Sequence, residues 1–394
     1  MEKGPMQSNI RKMYLVRMLS WTHFFAAVLV PFYTAWGGLR FAQILFLQAW
    51  FMFCVFLLEI PTGTVADFLG RKISMTIGSC VGVLGALIYA SYPHYGVFLL
   101  AEAVFAVSFT LFSGADEALV YDTLKELGRT RESKKTYSRL ESFKLAGIIL
   151  GAASGSVIAK FLGLRAPMLL TAVPMGLCGL IAATLREPES FRRAKARPYR
   201  KILSEGVEYF FRNRVLMVLA LDMVVVATFS YLILWFYQPL LASVGIDIVW
   251  FGMVHSMMCL AQIAVIANFL WLERLLGRKR RLLLLGAVVP GVLFILLGLV
   301  RSTVLVVAAI VLCAGFGLSR EPLFTSYMNK YIPSDKRATV LSTTSMLRTL
   351  AICLANPVAG FLADWSVPAT LVVVGCSILA FSMFSRIREE HLID

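Results

Sequence analysis

The feature that most constrains this chain is a succession of apolar runs of about 20 residues or more. Short gaps carrying charges, Gly or Pro separate them. A helix needs about 20 apolar residues to cross the hydrocarbon core of a bilayer. Every backbone N–H and C=O inside that core must be satisfied within the segment, so such runs fold as helices. Twelve spans can be read, at 14–36, 41–66, 73–92, 95–124, 138–162, 166–185, 214–242, 247–273, 281–300, 303–331, 337–364 and 368–385. All of them fit in 394 residues with short loops. The expected fold class is an all-α membrane protein with twelve transmembrane helices in two pseudo-symmetric six-helix bundles. Residues 1–190 would form the N-terminal bundle, 191–213 a linker with an amphipathic helix, and 214–394 the C-terminal bundle.

Composition excludes the other broad classes. Hydrophobic residues make up 59% and charged residues 15%, with mean hydropathy +0.77. A soluble globular protein carries about 25% charged residues. The seven cysteines all fall in apolar stretches with no metal-site spacing, so no disulfide frame is expected. No small-residue cleavage site ends the first apolar run, which is therefore read as span 1 and not as a removed signal peptide.

The net charge of +15 would suggest nucleic acid in a soluble protein, but here it sits between apolar spans. Most Lys and Arg lie in the even-numbered gaps and at the two termini, whereas the odd-numbered gaps hold little beyond Arg40, Lys160, Arg165 and Arg301. The positive-inside rule then places both termini and the central linker in the cytoplasm. Within that linker, Ile202, Leu203, Val207, Phe210 and Phe211 recur at roughly helical spacing. A short amphipathic helix on the membrane surface is expected over Tyr199–Phe211.

Two kinds of repeat are visible. Gly63-x-x-Ala66-Asp67 ends span 2 and Gly360-x-x-Ala363-Asp364 ends span 11. The topology puts them on opposite sides of the membrane, as inverted three-helix repeats would. In parallel, Asp67-Phe-Leu-Gly70-Arg71-Lys72 follows span 2 and Glu273-Arg-Leu-Leu-Gly277-Arg278-Lys279 follows span 8. Gly permits the sharp reversal, and the acid can cap a helix or pair with the Arg, so each copy reads as a loop latch.

On these residues the chain resembles the major facilitator superfamily, whose signature between spans 2 and 3 looks like Gly63-x-x-Ala66-Asp67-x-x-Gly70-Arg71-Lys72. The resemblance runs through helix count, linker and repeats. It departs at Phe68, where the family usually has a basic residue. It also departs from the family's drug/proton antiporters. Span 4 has no central Arg, and span 5 carries Gly147-x-x-x-Gly151-x-x-x-Gly155 without Pro. The family fold implies that spans 1, 4, 7 and 10 line a central cavity.

An ionised side chain at mid-bilayer costs about 2.5–3.5 kcal/mol even on insertion scales, so each one needs a partner, water or a job. The densest cluster is Ser113-Gly-Ala-Asp116-Glu117 through Asp122 in span 4, matched by Ser319-Arg320-Glu321-Pro322 in span 10. Aligning the halves sets Asp116 against Arg320. The expectation is an inner gate in which Asp116 and Glu117 pair with Arg320 and protonation opens it, the alternative being a static ion pair. Glu59, Asp122 and Glu321 complete the candidates for proton coupling or gating. Lys144 and Arg348 could pair with Glu141 and the span 4 acids, or bind an anionic solute. Candidate cavity residues are Trp21, Phe25, Glu102, Lys144, Tyr231, Trp235, Gln238 and Arg348. Asp222 is expected to have a structural partner, and His23 and His255 are read as packing residues.

The chain has no phosphate-binding Gly-Lys-Ser loop, no H-E-x-x-H and no G-x-S-x-G. An enzyme is therefore not expected, nor any cofactor, and a proton gradient is the expected energy source. The resemblance implies a monomeric secondary transporter of the bacterial inner (plasma) membrane. Its partners would be a small-molecule substrate and the lipid bilayer, with no nucleic acid. Proton-coupled export of a small amphipathic or hydrophobic organic compound is the leading expectation. Uptake or facilitated transport of a polar or anionic solute is the alternative, and a non-transporting receptor or scaffold the second.

Overall fold

The structure, a computed structural model, describes residues 3–188, 207–333 and 336–392. The described residues are helical, with no strand. Several of the expected spans are broken, and among the described residues sixteen helices reach eight residues or more. They are α1 (Lys3–Ser20), α2 (Phe41–Leu69), α3 (Arg71–Tyr89), α4 (Tyr95–Phe112), α5 (Ala115–Glu126), α6 (Ser133–Leu162), α7 (Arg165–Ala183), α8 (Arg214–Tyr231), α9 (Ile233–Ser243), α10 (Phe251–Ala267), α11 (Phe269–Leu276), α12 (Lys279–Leu299), α13 (Thr303–Leu318), α14 (Arg320–Met328), α15 (Arg337–Trp365) and α16 (Val367–Met383).

The breaks follow a pattern. Expected span 1 stops at Ser20; turns fill the stretch up to Val28, then Leu29–Pro31 is α-helical and Phe32–Trp36 is a π-helix. Span 4 divides at Gly114, which stands at φ +73° between α4 and α5. Span 7 divides at Leu232 and span 10 at Ser319. These are the first and fourth helices of each expected six-helix half. Span 8 divides as well, at Asn268.

Ten stretches of the described residues are long and apolar enough to cross a membrane. Span 1 is not among them, being interrupted, and α16 is shorter, at 17 residues. In the linker, residues 207–212 are helical. The remainder of the expected amphipathic helix, residues 199–206, lies outside the described residues.

The chain forms two compact units. Unit 1 is Met1–Leu39, Trp50–Lys195 and Ile248–Ser256; unit 2 is Arg40–Ala49, Ala196–Asp247 and Met257–Asp394. Each unit thus takes a short segment from the sequence half expected to form the other. In unit 1, a Cβ on Gly252 would strike Ala152 of α6, so only glycine admits this approach. In unit 2, a Cβ on Gly360 of α15 would sit 2.9 Å from Ala42 Cα. Asp364 Oδ1 accepts the Ala42 N–H at 3.1 Å, which satisfies a donor in the first turn of α2.

The unwound part of span 1 lies against the glycine face of α6. A Cβ on Gly147, Gly151 or Gly155 would meet the backbone of Met18, His23 or Phe24 respectively. Bulkier residues on that face would push the segment away. The Phe24 N–H, left without a helical acceptor, donates to Thr171 Oγ1 at 3.1 Å. Apolar cores close each unit, around Met13, Met75, Leu119 and Leu140 in unit 1 and around Leu216, Leu282, Phe324 and Val340 in unit 2.

Candidate functional site

In unit 1, the left-handed Gly114 restarts the helix so that Asp116 and Glu117 fall in the first turn of α5. Acids are stabilised there by the helix dipole. Their cation is Arg17, from α1. Its guanidinium pairs with Asp116, donates to Glu141 Oε1 at 3.0 Å and lies 3.9 Å from Glu117 Oε1. The second oxygen of Glu141 takes Lys144 Nζ at 3.1 Å. Lys144 also sits 4.7 Å over the Trp21 ring, a cation–π contact.

Arg17, Asp116, Glu117, Tyr137, Leu140 and Glu141 line a cavity of about 210 Å³. The Asp116 side chain is 8% exposed, whereas Glu117 is 61% exposed. One face of the cluster is therefore open and the other sealed. Trp21 continues into an aromatic surface, edge-on to Phe109 at 6.4 Å. Phe25 stacks on His23 at 5.1 Å and meets Phe105 at 6.0 Å.

Unit 2 repeats this pairing of first and fourth helices with the charges exchanged. The alignment that sets Asp116 against Arg320 also sets Arg17 beside Asp222. In the structure Asp222 of α8 holds Arg320 of α14 at 2.5 Å. Arg320 also donates to the Leu283 carbonyl and lies 4.9 Å from the centre of the Phe324 ring. Ser385 donates to the other Asp222 oxygen at 2.6 Å. The Arg320 side chain is 2% exposed, so this pair is sealed.

Asp116 is held by Arg17 and Arg320 by Asp222, each within its own unit, whereas the expected gate set Asp116 and Glu117 against Arg320. The structural partner expected for Asp222 is Arg320. Arg17 was the residue missed. It interrupts the apolar run Tyr14-Leu-Val-Arg17-Met-Leu, a visible signal that reads as one more cation of a basic N-terminus.

The remaining candidates fall into three groups. The first is the loop latch. Gly70 stands at φ +106° where α3 begins, and Arg71 pairs with Asp122 and donates to the Ala118 carbonyl at 2.7 Å. Asp122 therefore serves the latch and not the Asp116 cluster. The Asp67 side chain lies outside the described residues, and Gly63 has open space beside its Cα. Glu187, unremarked in the sequence, accepts the Arg71 and Lys72 N–H groups, both at 3.0 Å.

The second loop is built alike. Gly277 is left-handed at φ +70°, its N–H reaching the Glu273 carbonyl at 3.0 Å, and Arg278 precedes α12. Glu389 accepts the Lys279 and Arg280 N–H groups at 2.8 and 3.1 Å. One carboxylate thus caps two backbone donors at the start of α3 and another does so at the start of α12.

The last two groups are the isolated acids and the unit 2 cavity candidates. Glu59 of α2 hydrogen-bonds to Ser113 at the break in span 4. Arg348 pairs with Glu321 at 2.5 Å. Glu102 is enclosed and accepts from Tyr33 at 2.9 Å. Trp235 and Gln238 are buried in unit 2, with Gln238 Nε2 3.1 Å from the Tyr237 hydroxyl, while Tyr231 is half-buried at the break in span 7. Of the expected cavity set, Lys144 belongs to the open charge cluster and Trp21 adjoins it through Lys144.

Comparisons with known proteins agree with this architecture. Residues 13–356 match the family model described as Major Facilitator Superfamily. An uncharacterized MFS-type transporter of Bacillus subtilis (strain 168), YxaM, is 22% identical over 350 residues, covering 85% of each chain. The nucleoside transporter NupG superposes with a TM-score of 0.80 at 13% identity, covering 95% of this chain and 97% of that one. A D-xylose–proton symporter gives 0.75 at 14% identity, covering 97% and 98%. The structural likenesses show the fold, and the family model shows the family. The chain belongs to the major facilitator superfamily of secondary transporters.

Proposed function

We propose that this protein is a twelve-span, proton-coupled transporter that exports a small amphipathic or hydrophobic organic compound by alternating access. The observation that carries the reading is the charge balance of the open cluster in unit 1. Three carboxyls, Asp116, Glu117 and Glu141, share two cations, Arg17 and Lys144. With all five ionised the cluster holds one surplus negative charge beside a cavity. A proton or a cationic group neutralises it. Protonating Asp116 or Glu117 loosens Arg17 from α5, so proton binding and the α1–α5 contact are linked. The aromatic surface from Trp21 to Phe109 suits the apolar part of an amphipathic compound.

A second reading is favoured by the position of Lys144 over Trp21, which suits a solute carrying an anionic group, and by neighbours that carry polar solutes. NupG is named a nucleoside transporter and another neighbour a D-xylose–proton symporter. In this reading the protein takes up a polar or anionic solute. Under either reading the termini and linker face the cytoplasm of a bacterial cell and the protein works as a monomer.

The test is proton movement in proteoliposomes, with a pH dye inside and a panel of amphipathic, sugar, nucleoside and anionic solutes outside. A solute-driven proton flux of exchange sign, lost in Arg17→Gln and Asp116→Asn, supports export. The opposite sign supports uptake. Counterflow of a labelled solute with no proton flux overturns the coupling.

A further inference from the structure

A second buried carboxyl stands apart from the cluster above. Glu102 lies on α4, on the other side of the Gly114 break from Asp116. It is 5% exposed. Tyr33 Oη donates to Glu102 Oε1 at 2.9 Å and lies 2.7 Å from Tyr89 Oη, and the Tyr89 hydroxyl also reaches the carboxyl. Tyr33 comes from the π-helical Phe32–Trp36 and Tyr89 is the last residue of α3. Three elements therefore bring three exchangeable oxygens into one chain.

The surroundings narrow what this chain of oxygens can bind. Phe98 lies 5.5 Å from the Tyr33 ring and 5.9 Å from that of Tyr89, while Phe105 lies 5.6 Å from Tyr89. The side chains of Tyr33, Phe98 and Phe32 are fully buried. Tyr33 and Tyr89 are titratable groups that face Glu102. The cation on the adjoining α7, Arg165, donates to the Ala90 carbonyl at 2.5 Å. A proton is the cation that such a packed, ring-lined site suits. A phenol both donates and accepts, so it can hold the acid in either protonation state, whereas a charged carboxyl in an apolar cage is costly.

We propose that Glu102, Tyr33 and Tyr89 form a proton-binding site, a carboxyl loaded through a two-tyrosine relay. On loading, the Tyr33 proton passes to Glu102, the Tyr89 proton to Tyr33, and a proton arriving from the exposed turn at residues 91–94 restores Tyr89. One O–H bond is gained, at Glu102, and one negative charge is lost. The π-helical turn that carries Tyr33 follows the unwound part of span 1, so loading alters what holds that segment against α3 and α4. Its part in transport rests on the proposed function; the binding of the proton does not.

Infrared difference spectroscopy of the lipid-reconstituted protein, stepped from high to low pH, reads the protonated carboxyl directly. The wild type is expected to gain a C=O band of a buried carboxylic acid. Glu102→Gln, of nearly the same shape, is expected to lose that band. Tyr33→Phe is expected to keep it at a higher frequency, because one hydrogen bond to the carboxyl is gone. A band unchanged in Glu102→Gln, or unshifted in Tyr33→Phe, overturns the site. Solute-driven proton flux is then compared between wild type and Glu102→Gln. A band lost with no flux in either protein keeps the proton site and overturns only the coupled-transport reading.

Discussion

Arg17 and Asp222 occupy corresponding places in the two halves and are surrounded differently. Arg17 shares its charge among three acids on a half-open surface, so losing one acid leaves the others. Asp222 is the carboxylate on a guanidinium that is 2% exposed. Removing one partner of a buried pair leaves an uncompensated charge and costs about 3–5 kcal/mol. Asp222→Ala is therefore expected to lower thermal stability in detergent sharply. The double variant Asp222→Ala/Arg320→Leu should recover much of that loss, and additive losses would mean that the two are not coupled. Asp116→Ala should lower the melting temperature far less than Asp222→Ala, a comparison one melting series makes.

At the scale of elements, the sequence announces some breaks and hides others. The Ser113-Gly114 pair marks the break between α4 and α5, since Gly takes the left-handed turn at no steric cost. Nothing in Trp21–Val28 announces an unwound stretch, because its residues are more apolar than the helix before it and include no Gly or Pro. It unwinds against a partner, the glycine face of α6, which admits a backbone to van der Waals contact. Gly155→Leu, facing the Phe24 carbonyl, is thus expected to abolish the folded protein in membranes, whereas Gly176→Leu, whose Cβ would meet nothing nearer than the Val83 side chain at 3.9 Å, should be tolerated. Normal yield and melting of Gly155→Leu would show that the contact does not matter.

The loop latches make a similar point. Both were legible as Gly-Arg-Lys turns, yet the acids that cap them, Glu187 and Glu389, come from over a hundred residues away. A lost cap costs about 0.5–2 kcal/mol, so Glu187→Gln and Glu389→Gln should each lower the melting point modestly and additively, the two sites being in different units.

For the whole molecule, the distribution of Lys and Arg leads to one orientation. Single cysteines at Lys12, Arg186 and Arg388 in an otherwise cysteine-free protein should react with an impermeant thiol reagent from the cytoplasmic side, and one at Tyr92 from the other side. Labelling of Arg388→Cys from the side that labels Tyr92→Cys would overturn the even span count.

What the sequence determined by itself is what depends on one segment at a time. Length and apolarity of each run mark it as a membrane-helix candidate, charge in the gaps gives its expected orientation, and the Gly63–Lys72 motif carries the resemblance to the family. Only the tertiary structure decided which buried charge meets which. Arg17, Lys144, Arg320 and Arg348 each had several acids within reach in sequence terms. An ion pair forms where helices cross, and crossing depends on small-residue faces and on breaks at Val28, Gly114, Leu232 and Ser319. Those breaks turn a side chain about its helix axis, and a change of direction at one residue reassigns every partner beyond it.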